Sequence, residues 1–241
     1  MAVDRKIERV PTGIIGLDEM IEGGFKRNSS VLVVGGCGSG KSTFGMQFIY
    51  NGALKYNEPG VYVSFEEYPE SLKENFYRYG WDLDELEKQN KIRILRIDPK
   101  DVLNIIRENY GAIVDAINDV KAKRVVIDSI SSIEILIEGA YAKKENALRL
   151  CDWLKKQNCT SVIVSESEQR LPEYSSHGVI EFIVDGVIIL YNIQKGNVRE
   201  SALEVLKMRG TKHMKKIVPF NMEKGIEIFP NEVVFGSAGE F

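Results

Sequence analysis

Short apolar runs alternate with segments of helical periodicity over most of the chain. The apolar runs predict strands at Ser30–Gly35, Gly60–Phe65, Ile92–Ile97, Arg124–Asp128 and Thr160–Ser165. Apolar residues that recur every three or four positions predict helices over Lys41–Tyr56, Pro69–Tyr79, Leu83–Gln89, Val102–Val120 and Lys143–Gln157. Runs such as Val31–Val34 are apolar throughout, which is typical of strands buried on both faces. The pattern therefore predicts an α/β fold whose mostly parallel sheet is flanked by helices.

The pattern changes after about residue 184, where β runs follow one another closely. These runs are Asp185–Ile193, Ala202–Met208, Ile217–Asn221 and Ile226–Phe229. Short polar segments between them resemble hairpin turns, so the chain is expected to end in antiparallel strands that extend the sheet. We expect one domain over residues 1–241, with a lead-in at 1–30, a β extension at 184–235 and a frayed tail at 236–241.

Composition narrows the class of protein. The 241 residues are 44% hydrophobic and 28% charged, which argues against a disordered chain. No apolar run is long enough to cross a membrane, and the first residues lack the apolar stretch of a signal peptide. The three cysteines, Cys37, Cys151 and Cys159, have no CxxC spacing, which favours a reducing cytoplasm over a disulfide framework. The net charge of −3 argues against broad coating of nucleic acid.

The segment Gly35–Ser42 matches the phosphate-binding pattern G-x-x-x-x-G-K-[ST] between a predicted strand and a predicted helix. In such a loop the glycines let the main chain turn its N–H groups towards phosphates. Lys41 is expected to reach the β and γ phosphates, and the Ser42 hydroxyl to bind Mg²⁺. The predicted nucleotide-binding residues here are Gly35, Gly36, Cys37, Gly38, Ser39, Gly40, Lys41, Ser42 and Thr43. The alternative is a glycine-rich turn with an exposed lysine.

Acidic residues follow two of the predicted strands. Asp128 ends an apolar strand, the arrangement of a carboxylate that binds Mg²⁺ beside ATP. Glu66 and Glu67 follow another strand, and either could polarise a water for attack on the γ-phosphate. Ser165 is expected to orient the same water. The alternatives are a structural aspartate, a solvated acidic loop and an ordinary turn serine.

Several segments together resemble the KaiC-like ATPases of the RecA superfamily. They are PTGIIGLD at residues 11–18, the loop and helix GGCGSGKSTFGMQFIYNG, VYVSFEE with GWDLDEL, RVVIDSISS, EFIVDGVIIL and LEVLKMRGTKHMKKIVPF. The resemblance implies a RecA-like core with strand order 5-1-4-3-2 and ATP bound between the subunits of a ring, usually a hexamer. It implies a catalytic role for Glu66 and Glu67. Lys207 and Arg209 resemble residues that reach a neighbouring subunit's nucleotide, with a bend at Gly210 expected to bring both to one phosphate cluster; the alternative is a solvated basic face.

The chain also departs from the family pattern. KaiC has two such domains in tandem, whereas this chain has one, so we expect no clock role. The segment Glu173–His177 lacks the Ser-Thr dipeptide that is phosphorylated in one KaiC half, so we do not expect autokinase activity at Ser175 or Ser176. We expect a Mg²⁺-dependent ATPase that forms a homo-oligomeric ring, with a regulatory or signalling role, a protein client and no membrane partner. The alternatives are a DNA-binding ATPase of the recombinase type, which the acidic balance disfavours, and a scaffold that binds ATP with negligible turnover.

Overall fold

Strands and helices alternate along the computed structural model, which describes residues 7–167, 180–195 and 197–234. Its strands are β1 (Arg9–Val10), β2 (Phe25–Lys26), β3 (Ser30–Gly35), β4 (Gly60–Ser64), β5 (Ile92–Arg96), β6 (Arg124–Asp128), β7 (Thr160–Glu166), β8 (Gly186–Lys195), β9 (Val198–Met208), β10 (Ile217–Asn221) and β11 (Glu227–Ile228). Its helices are α1 (Leu17–Met20), α2 (Lys41–Lys55), α3 (Pro69–Tyr77), α4 (Leu83–Lys88), α5 (Pro99–Glu108), α6 (Ala112–Val120), α7 (Ile130–Glu134), α8 (Ala140–Lys156) and α9 (Ile180–Ile183).

Within these described residues, nine strands form one sheet in the order β11-β10-β9-β8-β3-β7-β6-β4-β5. The six strands from β8 to β5 are parallel, and β9, β10 and β11 continue the sheet with antiparallel pairing. The predicted α/β class, with a mostly parallel sheet and antiparallel strands at the C-terminal end, is therefore confirmed.

Each face of the sheet is covered by helices over a separate hydrophobic core. One core packs α2 and the α3–α4 segment against alternate strand residues such as Val33, Tyr62 and Val126. The other core packs α6, α8 and the two isoleucines of α7 against the strand residues in between. Burial on both faces explains why the central strands are apolar at successive positions.

The RecA-like strand order is present, with two differences from the prediction. Counted from β3 as first, and with β4, β6, β7 and β8 following, the order is 5-1-4-3-2, and β5 is an extra strand at the edge. The prediction placed the run after residue 184 among the antiparallel strands, but β8 lies parallel to β3. The switch to antiparallel pairing occurs one strand later, at the β8–β9 hairpin.

The predicted helix Val102–Val120 is two helices in the structure. Asn109 ends α5 with a φ of 50°, in the left-handed region, and α6 begins after Gly111. Ile106 and Ile113 are seven residues apart, two helical turns, so their spacing gave no sign of the break.

Three predictions lie outside the described residues: the start of the lead-in, the segment with Ser175 and Ser176, and the tail 236–241. Over the described part of the chain, no helix is both long and apolar enough to span a bilayer.

Candidate active site

The loop that joins β3 to α2 has glycines at positions that do not readily accept a side chain. Gly40 precedes α2 with a φ of 94°, in the left-handed region. A Cβ atom at Gly35 would lie 2.3 Å from Ser39 Oγ and 2.6 Å from the Leu190 carbonyl oxygen. The loop thus delivers the N-terminus of a fifteen-residue helix, with its unpaired N–H groups, to the carboxyl end of β3.

Lys41, the first residue of α2, lies at the centre of this site. Its Nζ donates a hydrogen bond to the Gly36 carbonyl oxygen at 2.9 Å. Burial lowers the pKa of Lys41, while the negative charges of Glu166, Asp128 and Glu66 act in the opposite direction. The charges of three carboxylates therefore act on one ammonium group.

The alternation of side chains along the strands explains why these carboxylates meet. Tyr62, Val126 and Val164 belong to the core beneath α2. Because side chains two positions apart on a strand share a face, Asp128 and Glu166 lie on the α2 side at the ends of β6 and β7, and Glu66 follows the end of β4 by two residues. These strands are neighbours in the sheet, so their three acidic ends converge on Lys41.

Asp128 has the surroundings expected of a ligand for a hard cation. The Tyr62 hydroxyl donates a hydrogen bond to Asp128 Oδ2, and the Ser42 hydroxyl is hydrogen-bonded to the same carboxylate. Burial raises the pKa of Asp128 despite these bonds. A carboxylate and a hydroxyl side by side are oxygen donors of the type Mg²⁺ prefers, and a cation would offset the cost of burying the charge. The predicted metal residues Ser42 and Asp128 therefore fit Mg²⁺.

Glu66 and Glu67 have different contacts although they are adjacent. Glu66 Oε1 accepts a hydrogen bond of 3.0 Å from the Ser132 hydroxyl, and its charge acts on Lys41. Glu67 accepts a hydrogen bond at Oε2 from Asn75 of α3, and its main-chain N–H donates to Ser64 Oγ. Glu66 is therefore hydrogen-bonded to Ser132 with its charge acting on the loop lysine, whereas Glu67 is hydrogen-bonded to α3.

An open cleft of about 360 Å³ adjoins the start of α2. It is lined by Ser42 and Thr43 on one side and by Glu67, Asn75 and Tyr79 on the other. Cys37 lies at the exposed tip of the loop. Of the residues predicted to bind nucleotide between Gly35 and Thr43, Ser42 and Thr43 line this cleft, and the others precede them in the same loop.

Glu166 is a site residue that the sequence interpretation missed. It pairs with Gly35 in the sheet, and of the nearby negative charges it has the largest effect on the pKa of Lys41. The prediction ended this strand at Ser165, but β7 continues for one more residue. An acidic residue directly after an apolar strand was the available signal, as it was for Asp128.

Ser165 is not brought to this cluster. It is fully buried, and by alternation it shares a face with Ile163, which belongs to the core on the other side of the sheet. Its hydroxyl donates a weak hydrogen bond to the Glu166 carbonyl oxygen at 3.4 Å.

Lys207 and Arg209 lie near the amino ends of the parallel strands, whereas the loop lies at the carboxyl end of β3. Lys207 pairs with Val187 of β8, whereas Gly35 of the loop pairs with Leu190 of the same strand. Val187 and Leu190 are three residues apart, which is about 10 Å along the strand. Both side chains donate hydrogen bonds to carbonyl oxygens of α9, with Phe182 O as a shared acceptor.

No bend at Gly210 is needed to bring these two cations together. Lys207 and Arg209 are two positions apart, and side chains two positions apart on a strand share a face. Gly210 has a φ of 68°, but it lies in the turn after β9. The expected bend was therefore an unnecessary assumption.

Comparison with known proteins gives a family and curated relatives, among them two KaiC proteins. The family model described as "ATPase: KaiC" matches residues 10–233. The circadian clock oscillator protein KaiC of Parasynechococcus marenigrum (strain WH8102) is 37% identical over 237 residues, covering 93% of this chain and 45% of that protein. The protein of the same name from Parathermosynechococcus lividus is 39% identical over 233 residues, covering 94% of this chain and 43% of that protein. The chain thus spans less than half the length of these relatives.

The fold has a solved counterpart at the same level of identity. The crystal structure of a KaiC-like protein from the hyperthermophilic archaeon Pyrococcus horikoshii OT3 matches with a TM-score of 0.82 and 37% identity. The match covers 93% of this chain and all of that chain.

Proposed function

Because the chain belongs to the KaiC family of ATPases, we propose that it binds Mg²⁺-ATP at the loop after β3 and hydrolyses it. The observation that carries the proposal is the position of Lys41. It lies at the N-terminus of a long helix, where the charges of carboxylates at or just beyond the ends of three adjacent strands act on it. A loop of N–H donors with a lysine suits a triphosphate, and nearby acidic groups suit a cation and a water.

In the proposed reaction Lys41 and the main-chain N–H groups of the loop bind the phosphates, and Ser42 and Asp128 hold Mg²⁺. Mg²⁺, when bound, neutralises charge on the phosphate oxygens. Glu66 accepts a proton from water, whose oxygen forms a bond to the γ-phosphorus. The bond from that phosphorus to the β–γ bridging oxygen breaks, which gives ADP and inorganic phosphate. We assign this proton transfer to Glu66, which faces Lys41, and place Glu67 in the cleft wall beside the nucleotide.

We further propose that Lys207 and Arg209 act on the nucleotide of a neighbouring subunit. They lie near the amino ends of the parallel strands, away from the loop of their own chain. The loop and these cations of one chain therefore cannot bind the same nucleotide. Arginine stabilises the charge that develops during phosphoryl transfer, and it is often supplied in trans.

Exposed apolar side chains towards both ends of the parallel strands support a homo-oligomer. Ile135, Tyr141 and Phe182 are 77%, 81% and 76% exposed, beside or on α7, α8 and α9. Phe182 is on the same short helix whose carbonyl oxygens accept hydrogen bonds from Lys207 and Arg209. A second copy that bound here would cover this apolar side chain and would also lie beside the two cations. We propose a ring, a hexamer by analogy with the family, built from one ATPase domain over residues 1–241. A regulatory role towards a protein client completes the proposal.

Phosphate release and light scattering, with and without Mg²⁺-ATP, test this function. The parent should release phosphate and form a larger particle, and Lys41→Ala should lower the release at least about tenfold because it removes the charge beside the phosphates. Lys88→Ala is the matched control, because Lys88 is an exposed lysine on α4. ATP binding without phosphate release would support the scaffold alternative, and a monomer that hydrolyses at full rate would contradict the ring.

A further inference from the structure

The short helix α7 joins the acidic strand ends of the site to one another. It follows Asp128 after a single residue, and Ile130 and Ile133 fix it in the core on the side of the sheet opposite α2. Its two central serines, Ser131 and Ser132, contact the ends of the strands that flank β6.

The two serines make different kinds of contact. The Ser131 hydroxyl accepts a hydrogen bond of 2.9 Å from the main-chain N–H of Glu166, so it fixes the backbone of a strand end. The Ser132 hydroxyl donates a hydrogen bond of 3.0 Å to the carboxylate of Glu66, so it acts on a side chain. Only the second contact bears on where a carboxylate points.

We propose that Ser132 is a positioning residue that holds Glu66 in the orientation in which it accepts a proton from water. The inference rests on the proposed function, in which Glu66 has that role. The Glu66 side chain is exposed and has three rotatable bonds, so its carboxylate samples many orientations unless a partner restrains it. The hydrogen bond from Ser132 engages Oε1 and leaves Oε2 as the acceptor for the proton.

Three features make α7 suited to this task. It is anchored at one end by the strand that carries Asp128 and in its middle by the bond from Glu166 N–H to Ser131. Two of its residues are buried isoleucines. Ser132 therefore projects from a fixed support, and catalytic groups act best when a rigid neighbour restrains them.

The test begins with Ser132→Ala and Ser132→Thr. We expect Ser132→Ala to lower kcat about three- to tenfold while the affinity for a non-hydrolysable ATP analogue stays within about twofold. Ser132→Thr keeps the hydroxyl and should recover most of the rate. The matched control is Ser71→Ala, an exposed serine on α3, which should match the parent. Equal loss in the alanine and threonine variants, or an affinity that falls along with the rate, would overturn the proposal.

A second measurement separates positioning from a general structural role. In a Glu66→Gln background, followed over hours with radiolabelled ATP, Ser132→Ala should have no further effect, because the group it positions no longer accepts a proton. An equal fold-loss in both backgrounds would overturn the inference. Crystal structures should show the Glu66 carboxylate in one orientation in the parent and in several in Ser132→Ala; one unchanged orientation in both would also overturn it.

The proposed function and this inference fail in different ways. If the parent releases no phosphate, or Glu66→Gln hydrolyses as fast as the parent, the assignment of Glu66 fails. If Glu66→Gln is impaired and Ser132→Ala is as active as the parent, only the inference about Ser132 fails.

Discussion

Burial of the charged Asp128 carboxylate lowers the stability of the folded chain. Burial raises its pKa above the ordinary value, although Tyr62 and Ser42 are hydrogen-bonded to it and Lys41 is near. The folded state thus holds a proton on Asp128 more tightly than the unfolded chain does. The free energy of unfolding consequently decreases as the pH rises from the ordinary pKa of aspartate through the raised pKa of Asp128. At neutral pH the carboxylate is charged in both states, so the whole of this destabilisation is present.

Asp128→Asn should therefore stabilise the nucleotide-free protein at pH 7 while abolishing hydrolysis. We expect a gain of about 1 kcal/mol, or roughly 2–4 °C in Tm, which shrinks as the pH of the measurement approaches 4. Asp119→Asn, at an exposed position on α6, should leave Tm unchanged. Differential scanning calorimetry at several pH values gives the answer, and a lower Tm for Asp128→Asn at pH 7 would contradict the account of this residue.

At the scale of single elements, β6 depends on one buried ion pair at its start. The Arg124 side chain is fully buried and donates hydrogen bonds to Glu58 and to the carbonyl oxygens of Phe48 and Pro11. Gly52 of α2 leaves room for it, since a Cβ there would lie 2.4 Å from Arg124 Cδ. The strand that carries Asp128 is thus tied to α2 and to the N-terminal segment.

Arg124→Ala should lower stability by about 3 kcal/mol or more, because it removes the guanidinium and leaves buried acceptors unpaired. In a protein of this size that corresponds to a Tm lower by roughly 6–12 °C. Arg107→Ala, at an exposed position on α5, is the control and should shift Tm by less than about 2 °C. A similar shift in both variants would show that the ion pair contributes little.

The elements that could be predicted from the sequence are those whose signal is local. The bounds of β3 and β6 agree with the prediction, because uniformly apolar runs favour buried strands wherever they lie in the chain. The place of β8 in the sheet could not be predicted from a turn signal, since its partner β3 lies more than 150 residues earlier. Val187–Leu190 is nevertheless apolar throughout, like the other parallel strands.

The same distinction applies to the candidate site. The loop Gly35–Ser42 and the strand that ends at Asp128 are contiguous motifs, and the structure brings them together. The contact of Ser132 with Glu66 joins residues 66 positions apart and depends on the register of β4 against β6. A single sequence does not contain that register, so the two serines of α7 were not predicted.

At the scale of the whole molecule, the residues proposed to act on one nucleotide lie at two ends of the sheet. The loop and the acidic residues lie at the carboxyl ends of the parallel strands, whereas Lys207 and Arg209 lie near their amino ends. Head-to-tail association of identical subunits brings such opposite surfaces together, and a ring closes the arrangement. The division therefore predicts that two inactive variants can complement each other.

Arg209→Ala should lower phosphate release at least about tenfold while largely sparing ATP affinity, because the arginine acts on the transition state. Glu66→Gln should also be inactive. When the two variants are dissociated, mixed equally and reassembled, about one quarter of the interfaces combine an intact Glu66 with an intact Arg209. Phosphate release should then rise to about a quarter of the parent's rate, and no recovery in reassembled mixed particles would contradict action in trans.

The central claim is that a nucleoside triphosphate binds at the end of β3, held by main-chain N–H groups, Lys41 and a divalent cation. Isothermal titration of the folded protein with ATP in the presence of Mg²⁺ tests it most directly. We predict saturable heat with about one site per chain, and an affinity at least about tenfold lower in Lys41→Ala. The absence of saturable heat from adenine nucleotides, or equal affinity in the parent and Lys41→Ala, would contradict the account.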